Sequence, residues 1–213
     1  MLCWGRGESG QLGHGKFTHS AVSITVKIPG DKSVQTVACG SHFTMALTEE
    51  GGLFTWGCNE NGQLGQGDRM KKCVPTPVGG MLAKRHVHMM ACGYDHALAL
   101  TTAREVFTWG RNSHGQLGHG VGQPDSLFPM ELRVMSGLDI KVMAAGDSHS
   151  CVLTSLGDIY TWGRGDFGQL GHGDGLLKDV PTLIQVMRPD SEAHSGGYVI
   201  SMYGHANANW RPR

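Results

Sequence analysis

The chain has 213 residues, 33 of them glycine, and balances 18 Lys+Arg against 18 Asp+Glu. That length suffices for one domain with a sizeable core, and the neutral balance excludes the basic footprint of a direct nucleic-acid binder or a polybasic membrane anchor. No run approaches the roughly 18 apolar residues of a membrane span, and the N-terminus lacks the charged-then-apolar layout of a secretory signal.

The first element is a box that opens at Trp4-Gly5 and closes at Gly10-Gln11-Leu12-Gly13-His14-Gly15. Within it, Gly5-x-Gly7-x-x-Gly10 matches a dinucleotide fingerprint, but no helix follows to receive a pyrophosphate. Gly10 to Lys16 approaches a phosphate loop, yet Phe17 stands where a magnesium-binding Ser or Thr is needed. Residues 22–28 are β-rich and are predicted to form a strand. A second box follows, Ala38-Cys39-Gly40-Ser41-His42-Phe43 and on to Thr48. Residues 42–48 and 53–56 are the next predicted strands, each short and bounded by turn residues.

Both boxes then recur. Trp56-Gly57 leads to Gly62-Gln63-Leu64-Gly65-Gln66-Gly67, Trp109-Gly110 to Gly115-Gln116-Leu117-Gly118-His119-Gly120, and Trp162-Gly163 to Gly168-Gln169-Leu170-Gly171-His172-Gly173, at Trp spacings of 52, 53 and 53. The second box returns as Ala91-Cys92-Gly93-Tyr94-Asp95-His96 and as Ala144-Ala145-Gly146-Asp147-Ser148-His149. Such a period marks a propeller or a solenoid, whose units bury their apolar faces only by stacking.

The columns of this repeat weigh the apparent motifs. Gly7 aligns with Asn59, Asn112 and Gly165; Gly and Asn both tolerate positive φ, so the column reads as a left-handed turn position rather than a cofactor loop. Lys16 aligns with Asp68, Val121 and Asp174. His14, His119 and His172 are a blade apart, too far to share an ion at ~2 Å ligand distances, and read as hydrogen-bond partners of neighbouring turns. His86 and His88 alternate along one strand without a nearby carboxylate or Cys. Ser41, Ser148 and Ser150 lie near His residues, but no Gly-x-Ser-x-Gly elbow exists. Cys39 and Cys92 share a column and read as small core residues. His42 stands one place before the column of His96 and His149, which Phe43 fills. No catalytic, cofactor-binding or metal-ligating residue is assigned, and no cofactor is expected. The six cysteines form no C-x-x-C pair and there is no glycosylation sequon; both point to an intracellular compartment, cytoplasmic or nuclear. Arg69, Lys71, Lys72, Lys84 and Arg85 cluster in the variable connections of the second repeat, a solvated face or a docking patch for an acidic partner.

The two alternating boxes, Trp-Gly…Gly-Gln-Leu-Gly and Ala-x-Gly, resemble those of the RCC1 repeat family over residues 1–186. The resemblance implies an all-β fold of β-propeller blades. The family ring has seven blades, so this chain is expected to form an incomplete open arc, three repeats plus the start of a fourth. The next Ala-x-Gly box is due near residue 197, where the chain reads Gly196-Gly197-Tyr198-Val199-Ile200; residues 187–213 are therefore expected to be a non-repeat, disordered tail. The function implied is a protein-interaction scaffold without catalysis of its own. Two alternatives come with the family: guanine-nucleotide exchange on a Ran-like small GTPase, and substrate binding as a fragment related to HERC-type ubiquitin ligases. Small GTPases and ubiquitin-pathway proteins are thus candidate partners, membranes are not, and the open blade ends are expected to self-associate. A plant photoreceptor shares the repeat but carries extra Trp in the second box. None stands at residues 40–42, 93–95 or 146–148 here, so light sensing is not expected.

Overall fold

Short β-rich runs between glycine turns leave each strand four to six residues in which to pair, and neighbouring runs close into antiparallel hairpins. The computed structural model describes residues 1–185. The expectation for residues 187–213 lies outside them.

Fourteen strands make four sheets among the described residues. The first holds only β1 (Leu2–Gly5) and β2 (Ser20–Thr25). The second runs β3 (Val34–Cys39), β4 (Phe43–Thr48), β5 (Leu53–Gly57) and β6 (Lys72–Pro77) in spatial order. The third repeats this with β7 (Val87–Cys92), β8 (His96–Thr101), β9 (Val106–Gly110) and β10 (Ser126–Glu131). The fourth does so with β11 (Ile140–Ala145), β12 (His149–Thr154), β13 (Ile159–Gly163) and β14 (Lys178–Leu183). These are propeller blades, I to III, and the expected count of three and a fraction holds. Each blade begins in the second box and ends after the Trp box, so the fraction is the outer half of a blade at the N-terminus. Among the described residues, only two short 3-10 turns, Gly80–Lys84 and Arg133–Met135, interrupt the β structure.

The core lies between blades rather than within one. Every residue of β4, β8 and β12 is buried. Because side chains alternate across a strand, Met45 and Leu47 face forward to Ala97, Ala99, Phe107 and Trp109 of blade II. Leu98 and Leu100 do the same toward Val152 and Trp162 of blade III. Large side chains project forward, small ones receive them, and the stack interdigitates. Between the half-blade and blade I the core shrinks to Ile28, Ala46, Phe54 and Trp56.

Candidate interaction surfaces

Each blade junction is made by one tryptophan entering the Gly-Gln-Leu-Gly turn of the preceding repeat. Trp56, Trp109 and Trp162 are 0% exposed. Their indole Nε1 atoms donate to the backbone carbonyls of Gln11, Gln63 and Gln116 at 2.9, 3.0 and 2.8 Å. The ring needs a glycine beneath it: a Cβ on Gly13, Gly65 or Gly118 would lie 2.7, 2.8 or 2.9 Å from that same Nε1, and all three hold positive φ. The glutamine side chain shapes the turn from inside, its Oε1 accepting from the amide two residues earlier at Ser9, Asn61, His114 and Phe167. A second seam runs alongside. Gly15 N donates to Cys73 O, Gly67 N to Leu127 O and Gly120 N to Asp179 O, at 2.8–2.9 Å.

The remaining box residues are also used structurally. His119 and His172 meet the hydroxyls of Thr108 and Thr161 through Nε2 at 2.9 and 3.0 Å; these lie on β9 and β13 of the same blade, so the expected bond to a neighbouring turn is corrected to one that ties the loop to its own strand. The column of Gly7, Asn59, Asn112 and Gly165 is corrected. None of the four has positive φ. The asparagines serve through their amides: Asn59 donates to Asp68 O and accepts from Leu64 N, and Asn112 donates to Gln123 O and accepts from Leu117 N. Where glycine replaces them the loop closes on itself, and a Cβ would sit 1.9 Å from Thr18 O or 2.0 Å from Leu176 O.

His96 and His149 lie over Gly93 and Gly146, and Phe43 covers Gly40 in the same way. His96 Nε2 contacts Ser150 Oγ at 3.0 Å, and that hydroxyl donates to Gln116 O. Both residues are fully buried, out of reach of any substrate. Burial, reinforced by the nearby His149, pushes the His96 pKa down to about 3. Asp95 escaped notice in the sequence because its column also holds His42 and Ser148. It clamps blades I and II by accepting from Ser41, Asn61 and Gln63 at 3.2, 3.2 and 3.1 Å, and its burial raises its pKa. Cys39 departs from expectation: it is exposed and Cys92 is half-buried. Their column falls on β3 and β7; Cys92 packs against the core between blades I and II as expected, whereas Cys39 lines the cleft beside the half-blade.

The five basic residues do not share one surface. Lys72 pairs with Gly57 at one end of blade I, the end that also carries the turns at 40–42, since Cys58 N donates to His42 O. Lys84 and Arg85 follow the other end, where Val78 N donates to Leu53 O and Val87 N to Gly51 O. Most of the charges are also taken. Lys72 pairs with Asp68 at 2.8 Å, Arg69 with Asp125 at 3.4 Å and Arg85 with Glu105 at 2.8 Å, while Lys71 lies over the Phe17 ring at 4.9 Å. Lys72–Asp68 recurs in blade III as Lys178–Asp174, so it belongs to the scaffold.

Connections that differ between blades are exposed at both ends: Met81 and Val134 stand out at the end bearing Lys84, and a larger group does so at the end bearing Lys72. There the connections 68–72, 121–126 and 174–178 present Met70, Val121, Leu176 and Leu177. Beside the two-stranded sheet of β1 and β2 lies a cleft of about 810 Å³, lined by Cys3, Trp4, Cys39, His42, Cys92 and Tyr94 among others. Among the described residues no group of three His, Cys, Asp or Glu is placed to hold a metal ion, and no helix is long and apolar enough to cross a membrane.

This architecture has known counterparts. The family model described as "RCC1-like domain" matches residues 1–206. The ultraviolet-B receptor UVR8 of Arabidopsis thaliana is 38% identical over 186 residues, covering 86% of this chain and 42% of the receptor. Human HERC2, an E3 ubiquitin-protein ligase, is 35% identical over 196 residues, 91% of this chain and 4% of that protein. The crystal structure of human WBSCR16 superposes with a TM-score of 0.73 at 29% identity, covering 84% of this chain and 45% of the other. The chain thus spans less than half the length of each of these relatives.

Proposed function

We propose, because this chain belongs to the RCC1-like domain family, that it is a protein-interaction module whose partner is read by the connections 68–72, 121–126 and 174–178. One observation carries the reading. The recurrent residues are consumed in holding blades together, whereas residues that vary from blade to blade stand exposed, the largest apolar group of them (Met70, Val121, Leu176 and Leu177) at the end bearing Lys72. Binding residues gather on such scaffold-held loops. Met70, Leu176 and Leu177 supply apolar contact area, and Lys71, which makes no ion pair among the described residues, supplies a charge for an acidic group.

No catalytic role is proposed, since the Ser150–His96 pair is sealed in the core. Light reception is not carried over from the receptor relative, because residues 40–42, 93–95 and 146–148 contain no tryptophan. A second reading draws on the 35% identity to HERC2: the module selects a protein for ubiquitin transfer by other machinery. Cross-linking a captured partner and mapping the cross-links tests both. Links to residues 68–72, 121–126 and 174–178, lost in a Met70→Asp, Lys71→Glu variant that melts like the wild type, are expected. Links confined elsewhere would overturn the proposed surface. More than about tenfold faster GDP release from a Ran-type GTPase, equivalent to roughly 1.4 kcal/mol of barrier, would replace it with the exchange-factor reading.

A further inference from the structure

The two ends of the arc are the two halves of one junction. Trp4 occupies the column of Trp56, Trp109 and Trp162 yet is 64% exposed, with no Gly-Gln-Leu-Gly turn packed on it among the described residues. Its neighbour Leu2 is exposed with it, whereas Phe54 in the same column is buried. At the other end the turn at 168–171 is already formed. Phe167 N donates to Gln169 Oε1, Gly171 N to Gly168 O, and Thr161 Oγ1 to Leu170 O. Among the described residues, no donor reaches the Gln169 carbonyl, nothing lies within 4 Å of a Cβ on Gly168, and only Ile184 lies near Gly171. At the equivalent Gly10, Gly62 and Gly115, by contrast, the next blade's outermost strand approaches within 2.6–2.8 Å of that Cβ position.

From these observations we infer that a second copy of this chain docks its half-blade onto the 168–173 turn, head to tail. The half-blade carries the two outer elements of the junction: a tryptophan on β1, the counterpart of β5, and the paired outer strand β2, with Gly5 opposite Ser20 as Gly57 is opposite Lys72. The inner strands, absent from the half-blade, add a hydroxyl to the Gln carbonyl at two junctions (Thr44 and Ser150) and much of the junction core, but neither the indole nor the seam. In the assembled pair, Trp4 Nε1 donates to the Gln169 carbonyl of the second copy. Gly173 N of that copy donates to Ala21 O, the position of Cys73, Leu127 and Asp179. Gly168 packs on the backbone of residues 20–21. The surfaces joined are different patches of the same chain, so the contact is heterologous, and its rotation decides between a ring and a longer chain of copies.

Mass measured by light scattering across a concentration series tests this on the full chain. The wild type is expected to climb from the monomer mass toward at least twice that value. Trp4→Ala removes the plug; Gly168→Asn fills the socket while tolerating its positive φ. Each variant alone is expected to hold the monomer mass, and mixing them in equal amounts to restore a pair, since each supplies the half the other lacks. Restoration also shows that both variants are folded. A wild type that stays monomeric, a Trp4→Ala chain that still associates, or a mixture that fails to recover although both variants melt cooperatively would overturn the inference.

Discussion

Strands β5 and β1 occupy the same place in the repeat, and every residue of β5 is buried whereas three of the four in β1 are exposed. Trp56 and Trp4 differ in the same way, from 0% to 64% exposed. The two segments read alike, Thr-Trp-Gly and Cys-Trp-Gly. A repeat therefore encodes a contact to be made, and burial follows only where the preceding unit exists to make it. The comparison also locates the energy: it lies at the junctions, because no blade has a core of its own.

The sharpest way to break the comparison is to truncate the two tryptophans. Trp109→Ala is expected to destabilise the chain by about 3–5 kcal/mol, the range for a large aromatic lost from a packed core, while Trp4→Ala leaves the unfolding midpoint of the dilute monomer nearly unchanged. Denaturant titration of both variants checks this; equal losses would mean that Trp4 is covered in the free chain.

The second test compares blade II, with His96, to blade I, with Phe43 in its place. The folded pKa of His96 is depressed to about 3, and an unfolded histidine titrates near 6.5. Between these values the unfolded chain binds the extra proton, so stability present above pH 6.5 is lost as pH falls toward 3. Down to pH 4 that is about 3 kcal/mol, with His149 and His119, also depressed by burial, adding in the same direction. His96→Phe should flatten this part of the pH profile, and an unflattened profile would assign the acid sensitivity elsewhere.

Smaller effects follow at the glycines. Gly65→Ala combines a left-handed φ with a collision against Trp109 and is expected to cost about 1–3 kcal/mol, whereas Gly171→Ala meets only Ile184 at 3.2 Å and should cost about 1. Thermal melts of the pair measure the difference that an occupied junction makes. Least of all, Lys71→Glu should move stability by under ~0.5 kcal/mol while weakening binding of an acidic partner at low salt.

The blades, their number and the scaffold role of the box histidines were legible in the sequence, because each rests on a spacing that recurs. What escaped it depends on placement around the axis. The column of Gly7 and Asn59 permits positive φ but does not require it, and the asparagine amide turned out to matter. Cys39 and Cys92 share a small-residue column with Ala145, yet which of them packs against a core is not written in a column. Nor could charge clustering along the chain reveal that Lys72 and Lys84 lie at opposite ends of a strand pair. Asp95 left no signal, since its clamp uses partners from two turns distant in the sequence, at Ser41 and at Asn61 and Gln63.

Each tryptophan reaches back to a carbonyl 45 or 46 residues earlier. Synthesis runs from the N-terminus, so every receiving turn leaves the ribosome before the side chain that fills it. Each blade can be completed on a template already in place, and no junction has to wait for a distant segment.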